Sequence, residues 1–299
     1  MKPDSHTRIA QVACELVASA TAKKVRPVSI RQIQGGCINQ AFCLDTGDRQ
    51  FFVKSNEAHH ARDMLETEAQ GLALLGEGDL KVPRVIAVGE LDYGPAVLVL
   101  EWIDSASRRP DFSARLGRGL AQTHNRVTAD EFGLSFDNFI GLSPQSNETS
   151  SNWCDFWKQH RLVPQFERAC AAGFFELSWR RVFERFLSRL DGFLMRPLSK
   201  PALLHGDLWS GNYMSDAVGN PVLIDPAVYF GHPEAEFGII SLFGGFDQNF
   251  YDAYHEVQPR IDGFSERVEI YKLYHLLNHL NLFGTGYYEA CTAILKRFS

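Results

Sequence analysis

The segment His205-Gly206-Asp207-Leu208-Trp209-Ser210-Gly211-Asn212 is followed by an apolar run, Val222-Leu223-Ile224, that ends in Asp225-Pro226. Asp207 and Asn212 are five residues apart, and Asp225 follows thirteen residues later. Two carboxylates and an amide at these positions suit one chemistry. Asp207 can orient a hydroxyl and accept its proton, while Asn212 and Asp225 can offer hard oxygen ligands to Mg²⁺. Together these are the requirements of phosphoryl transfer from ATP. A surface turn rich in Gly, Asp and Asn is the competing reading of His-Gly-Asp alone, but it gives no reason for Asn212 and Asp225 to fall in register. His205 reads as a structural histidine packed beneath the loop. Gly211 reads as a position where a side chain would obstruct a turn.

The Asp-x-x-x-x-Asn spacing, with a second Asp at the end of the following hairpin, is that of the protein-kinase catalytic loop. The elements before it should then supply a phosphate-binding apparatus. Gly35-Gly36-Cys37-Ile38-Asn39 stands between two short alternating segments, where bare backbone can approach phosphates. It is neither a Walker A nor a GxGxxG loop, and a plain Gly-Gly hairpin turn is its alternative. Lys54 closes Phe51-Phe52-Val53-Lys54 and fits the strand-three lysine that binds α- and β-phosphates. Glu68, on the next helix, is placed to pair with Lys54, with Glu57 and Glu66 as competitors. Glu101, Trp102 and Ile103 open the connector, whose backbone holds adenine in such folds. Val53, Val85 and Ile224 are either adenine-facing or plain core.

These residues need a frame. Short alternating segments at 28–34, 40–45 and 50–54 read as an antiparallel meander. A helix is expected over 61–75, stopping at Gly76, and two further strands over 82–89 and 96–102. Beyond residue 112 the pattern becomes helical, with candidates at 112–127, 153–172, 177–193, 234–246, 264–282 and 286–298. Residues 129–152 read as a long ordered loop. The expected class is α+β, a bilobal protein-kinase-like fold. Residues 1–103 would form a five-stranded antiparallel nucleotide-binding lobe with one inserted helix. Residues 104–299 would form a larger helical lobe with the catalytic loop and acceptor site, and nucleotide would lie in the cleft.

The chain has 299 residues and a formal charge of −6, which argues against nucleic-acid and anionic-membrane partners. It has no apolar run long enough for a membrane span. Gln11 and Glu15 interrupt any signal-like apolar stretch at the N-terminus, so a cytoplasmic location is expected. Six scattered cysteines without a CxxC pair read as free thiols. His275 and His279 share a helix face without an accompanying HExxH, and read as packing. His59-His60 reads as the start of the first-lobe helix, and Trp153, Phe156, Trp157 and Phe166 as a buried helix face.

Taken together, the motifs resemble the fructosamine kinases (ketosamine 3-kinases), relatives of the aminoglycoside phosphotransferases. Gly35-Gly36-Cys37-Ile38-Asn39 is similar to their glycine-rich loop, Glu68-Ala69-Gln70-Gly71-Leu72 to their EAxGL helix, and Leu98-Val99-Leu100-Glu101 to their hinge. Asp137-Asn138-Phe139-Ile140-Gly141 with Pro144-Gln145 and Asn147 resembles DNxIG…PQ…N. His205 through Asn212 is similar to HGDLWSGN, and Asp225 through Glu234 to DPAxYYGHRE. Trp209 separates this family from choline and aminoglycoside kinases.

The resemblance implies use of ATP and Mg²⁺ to phosphorylate the sugar 3-hydroxyl of a small-molecule ketosamine or glycated amine, after which the adduct breaks down and frees the amine. Trp209, His232 and Glu234 lie near Asp207 and present donors, acceptors and an apolar face suited to a polyol-amine acceptor. The competing reading is that His232 and Glu234 only brace the loop. A monomer or homodimer is expected. Some relatives with a cysteine at the position of Cys37 form a disulfide between two chains. Cys37, flanked by backbone amides and near Lys54, is accordingly a redox candidate. Pro233 stands where Arg is usual, and Glu236-Phe237-Gly238 where Asp-Leu-Ala is common, so Glu236 would brace the catalytic loop with a longer arm. The alternatives are another small-metabolite kinase of choline or aminoglycoside type, or an inactive nucleotide-binding module.

Overall fold

The structure, a computed structural model, describes residues 5–33, 38–92, 94–195 and 200–299. Its regular elements run α1 (Ser5–Thr21), β1 (Ser29–Ile33), β2 (Gln40–Asp45), β3 (Gln50–Asn56), α2 (Ala61–Leu75), β4 (Val85–Gly89) and β5 (Ala96–Glu101). They continue through α3 (Phe112–Arg126), β6 (Asn138–Ile140), β7 (Ser143–Gln145), α4 (Trp153–Trp157), α5 (Val163–Ala171), α6 (Leu177–Leu194) and β8 (Ala202–Leu204). The last are β9 (Tyr213–Ser215), β10 (Pro221–Leu223), β11 (Tyr229–Gly231), α7 (Glu236–Phe243), α8 (Gln248–Val257), α9 (Phe264–Phe283) and α10 (Tyr288–Phe298). The chain divides into two units, one of residues 1–112 with 214–225, the other of 113–213 with 226–299.

In the first unit the strands pair antiparallel in the order β1-β2-β3-β5-β4. Alternation along β5 separates two cores, because successive side chains point to opposite sheet faces. Val97 and Val99 pack with Val53, Phe42 and the apolar face of α1, including Ile9, Val12 and Val17. Ala96, Leu98 and Leu100 pack with Ala61, Leu65 and Leu72 of α2. With both faces covered, β5 reads as an unbroken apolar run. Lys54, the neighbour of Val53 in β3, lies across from Leu98 in β5 and so projects on the α2 side. Val53, one of the adenine-facing candidates, belongs instead to the α1-side core.

Residues 214–225 return to this unit as a short hairpin of β9 and β10. The Leu223 N–H donates to the Lys81 carbonyl (2.9 Å), Ala106 N–H to Asp216 (3.1 Å) and Arg109 N–H to Gly219 (3.2 Å).

The second unit is built on an aromatic core in which Trp153, Phe156, Trp157 and Phe166 are all buried, as their helical spacing predicts. The helix expected over 153–172 is α4, a π-helical turn at Lys158–Leu162 and then α5. Pro164 has no N–H to continue an α-helical ladder, and the wider turn absorbs the break. The expected helix 234–246 is a 3-10 turn, Pro233–Ala235, followed by α7, which ends at Gly244 with φ 65°. α8 was not anticipated, although Phe250, Ala253 and Tyr254 have helical spacing and Asp247 caps it by accepting the Phe250 N–H at 3.1 Å. The loop at 129–152 contains the hairpin β6–β7.

Glycine substitutions offer a direct check on this packing. A Cβ at Gly117 in α3 would run into the Phe250 carbonyl of α8, whereas at Gly192 in α6 it would meet nothing within 4 Å. Gly117→Ala should destabilise by about 1–3 kcal/mol. Gly192→Ala should stabilise by about 0.5–1 kcal/mol through helix propensity. Urea unfolding of the two variants reads both signs.

Candidate active site

Lys54 is buried, and its ammonium donates to Glu68 Oε1 at 2.7 Å and to Asp225 Oδ1 at 2.6 Å. Burial alone would lower the lysine pKa, but the two carboxylates outweigh it and hold the group above the ordinary lysine range. Of the competing acids, Glu66 pairs with Arg62 at 2.7 Å, and Glu57 is exposed. Asp225 has φ 56°, a left-handed conformation that Asp reaches more readily than most residues. Its side chain keeps 35% exposure with one oxygen on Lys54. A partly exposed carboxylate oriented by a lysine is suited to a hard cation.

Asp207 and Asn212 belong to the second unit. The Asn212 side-chain amide donates to the Asp207 carbonyl at 2.8 Å and to Asp207 Oδ2 at 3.1 Å. Those bonds fix the Asp207 carboxylate and turn the Asn212 carbonyl oxygen away from it, as a metal ligand requires. The loop itself rests on Glu236, buried to 1% exposure, whose carboxylate accepts the His205 N–H at 2.7 Å and the Gly206 N–H at 3.0 Å. Glu236 therefore does occupy the brace position that its place in the motif suggested. Gly206 has φ 81°, and a Cβ there would strike the Ala227 carbonyl. His205 is buried, and its Nδ1 accepts the Asp207 N–H at 3.3 Å. At Gly211 the constraint is clearance: a Cβ would run into the six-membered ring of Trp209.

His232 is buried, and its Nδ1 accepts the Glu234 N–H at 3.2 Å, which leaves the proton on Nε2 without a hydrogen-bond partner. Burial pushes its pKa down to about 4, so the ring is neutral near pH 7. Both oxygens of Glu234 are held by Arg267, the outer one through Nη2 at 2.8 Å, and Arg267 also donates to the Asp262 and Ile261 carbonyls. Trp209 is 36% exposed, and its ring lies 5.7 Å from that of Phe243, tilted by 51°.

In the first unit, the Asn39 side-chain oxygen accepts from Asn56 at 2.8 Å. Ile38 is half-buried, while Gly35, Gly36 and Cys37 lie outside the described residues. Glu101 bonds back to Arg84 through its backbone N–H (2.8 Å), Ile103 is buried, and the Trp102 indole donates to Asp104 at 3.0 Å with Arg31 over its face. Among the described residues five cysteines are free, and no group of three His, Cys, Asp or Glu side chains could hold a metal ion. His279 Nδ1 donates to the His275 carbonyl at 2.8 Å, which is packing.

Two buried polar residues, His124 and Arg161, escaped the sequence reading, and Asn138 and Gln145 stood in a motif without an assigned role. His124 contacts Tyr254 through Nδ1 at 2.9 Å and lies 3.7 Å from Glu236. Asn138 donates to the Val228 carbonyl at 2.8 Å, and Gln145 to the Ala227 carbonyl at 3.2 Å. Arg161, in the π turn, donates to Asn147 and covers the Tyr229 ring at 4.1 Å.

Comparison with known proteins agrees with the motifs. A sequence profile described as fructosamine kinase matches residues 9–299. A chloroplastic protein-ribulosamine 3-kinase of Oryza sativa subsp. japonica is 41% identical over 289 residues, covering 95% of this chain and 82% of its own. The crystal structure assigned as a fructosamine-3-kinase of Haemophilus somnus 129PT superposes with a TM-score of 0.87 at 25% identity, over 98% of this chain and 99% of that one. A thermostable mutant of an aminoglycoside phosphotransferase superposes with a TM-score of 0.63 at 14% identity, over 95% and 98% of the two chains. That is a likeness of fold, and it makes the architecture protein-kinase-like. Among the described residues no helix is long and apolar enough to cross a membrane.

Two measurements follow from the loop supports. Glu236→Ala leaves two buried N–H groups without their charged acceptor and should cost about 3–5 kcal/mol. Hydrogen exchange should accelerate selectively at His205 and Gly206. The second concerns acid. Below about pH 6.5 the unfolded chain protonates His232, while the folded chain does so only near pH 4. This residue therefore subtracts stability progressively as pH falls from 6.5 to 4, by up to about 3 kcal/mol, and has no such effect above 6.5. His232→Gln should flatten the fall in that window when unfolding is followed against pH.

Proposed function

The chain belongs to the fructosamine kinase family, and from that premise we propose that it transfers the γ-phosphoryl group of ATP to the 3-hydroxyl of a ketosamine, a glycated amine of fructosamine or ribulosamine type. The observation that carries this is the Asp207 carboxylate, oriented by Asn212 on a loop fastened to Glu236. The acceptor oxygen forms a bond to the γ-phosphorus as the bond to ADP breaks, and Asp207 takes the hydroxyl proton. Lys54, aligned by Glu68, binds donor phosphates. Asn212 and Asp225 would hold Mg²⁺, which when bound neutralises phosphate charge. Ile38 and Asn39 line the phosphates, and the backbone of Glu101, Trp102 and Ile103 receives adenine.

On the acceptor side, Trp209 offers an apolar face to the sugar and His232 an unpaired N–H, while Glu234 positions the turn through Arg267. A buried donor without a partner calls for an explanation, and a ligand hydroxyl supplies one. Phosphorylation would prepare the adduct to break down and free the amine. The buried free thiols of Cys14, Cys43, Cys154 and Cys291 suit a cytoplasmic enzyme.

Asp207→Asn should lower kcat by about 10²–10⁴-fold with ATP affinity retained. ADP release measured against fructosamines, ribulosamines, choline and aminoglycosides tests the acceptor class. Turnover of Asp207→Asn within a few-fold of the parent would remove the base. Turnover on choline or an aminoglycoside alone would replace the acceptor.

A further inference from the structure

On the α1 side of the sheet in the first unit lies a cleft of about 300 Å³. Its floor is apolar, with Val17 and Phe51 buried there in the same core as Val53. Successive strand residues face opposite ways, so Phe51 and Val53 share the face turned away from Lys54. The cleft is therefore separate from the phosphate-binding lysine.

Five bases and one acid line it. Lys23, Lys24 and Arg26 come from the segment after α1, Arg49 from the turn between β2 and β3, and Arg84 from the residue before β4. All five are exposed, and among the described residues none has an ion-pair partner. The acid, Asp48, accepts the Thr46 hydroxyl at 3.0 Å. In a chain of formal charge −6, cations gathered from three separate segments into one hollow stand apart from the average surface.

The helix dipole accounts for cations just beyond the C-terminus of α1, and so for Lys23 and Lys24 taken alone. It does not account for Arg49 or Arg84. The chain leaves α1 through Ala22 at φ 55°, a left-handed position where glycine is the usual residue. That turn leads residues 23–26 to the cleft at a cost in backbone strain.

Past Arg49 and Arg84 the cleft opens into a second hollow of about 560 Å³, which Asp45, Glu101 and Asp104 also line. Asp45 accepts the Gly47 N–H at 2.7 Å, Glu101 Oε2 the Arg84 N–H at 3.3 Å, and Asp104 the Trp102 indole at 3.0 Å. Negative charge thus bounds one end and positive charge fills the other. Guanidinium forks match phosphate oxygens in pairs, and ammonium groups add point charges beside them. An apolar floor concentrates such a field.

We propose that this cleft binds a small linear polyphosphate, an anion of two or three linked phosphates seated among Lys23, Lys24, Arg26, Arg49 and Arg84. The site is distinct from the nucleotide site proposed above and does not depend on the ketosamine reading.

The test uses the full chain carrying nitrogen-15-labelled arginine, titrated with sodium tripolyphosphate without Mg²⁺ and followed through the side-chain Nε–H signals. Those of Arg26, Arg49 and Arg84 should move together and saturate, while Arg185, exposed on α6, stays still. Arg49→Gln should weaken binding about tenfold, and the pair Lys23→Gln and Lys24→Gln about as much. ATP without Mg²⁺, run beside it, separates the sources. The same shifts with ATP make a nucleotide the carrier, and shifts with tripolyphosphate alone make it a free anion; either supports the site.

Shifts that never saturate and include Arg185 would overturn it as general counterion attraction. Arg49 and Arg84 signals that do not move, or affinity unchanged in both variants, would overturn it as well. A single-stranded oligonucleotide that moves these signals where tripolyphosphate does not would replace the small anion with a nucleic acid.

Discussion

An ammonium group stripped of water is tolerated inside a protein only where fixed carboxylates replace the lost solvation. Lys54 meets that condition twice, with Glu68 at 2.7 Å and Asp225 at 2.6 Å. Desolvation costs several kcal/mol per ion, so removing one partner of such a group costs about 3–5 kcal/mol. The three charges therefore constrain one another. β3 contributes the lysine, α2 one acid and the returning segment the other. Glu68 fixes the rotation of α2, whose Leu65 and Leu72 on the same face pack into the core against β5. Asp225 is held in a left-handed conformation, and its bond to Lys54 supports it there.

The second unit solves a related problem with backbone in place of ammonium. The tight loop at 205–207 has N–H groups turned inward, and Glu236 accepts two of them from full burial. A parallel set of side chains supports the strand that follows Pro226. Asn138 and Gln145 donate to carbonyls of Val228 and Ala227, Tyr274 donates to Gln145 at 2.7 Å, and Asn147 donates to Asn138 at 3.0 Å. Arg161 closes the set through Asn147 and Ser146 while lying against Phe156 and Tyr229. Buried polar networks of this kind raise the cost of any alternative packing, because each displaced group would be left unpaired. The motif residues at 137–147 thus act on backbone geometry.

Much of the frame was legible because it follows local rules. The meander, the two-faced β5 and the helix at 61–75 come from alternation, helical spacing and glycine stops. The loop at 205–212 was legible because its polar residues stand at a fixed spacing. What escaped depends on pairs distant in sequence. Lys54 meets Asp225 across 171 positions, and Arg267 meets Glu234 across 33. No spacing rule selects Glu68 from Glu57 and Glu66, since only helix orientation decides it. Val53 was ambiguous because an apolar residue beside a functional lysine can face either core, and strand alternation places it toward α1. Within 153–172 a single helix was expected, and the π turn that carries the chain past Pro164 was not.

The path of the chain through the first unit also has a consequence for how the protein is made. A ribosome releases residues 1–112 long before 214–225, yet both belong to that unit. Until the later stretch emerges, Lys54 has Glu68 alone, and the Lys81 carbonyl lacks the Leu223 N–H. At about 5–20 residues per second the interval is on the order of ten seconds. The nascent sheet must therefore wait, with a half-compensated charge, for a strand delivered only after much of the other unit has been synthesised.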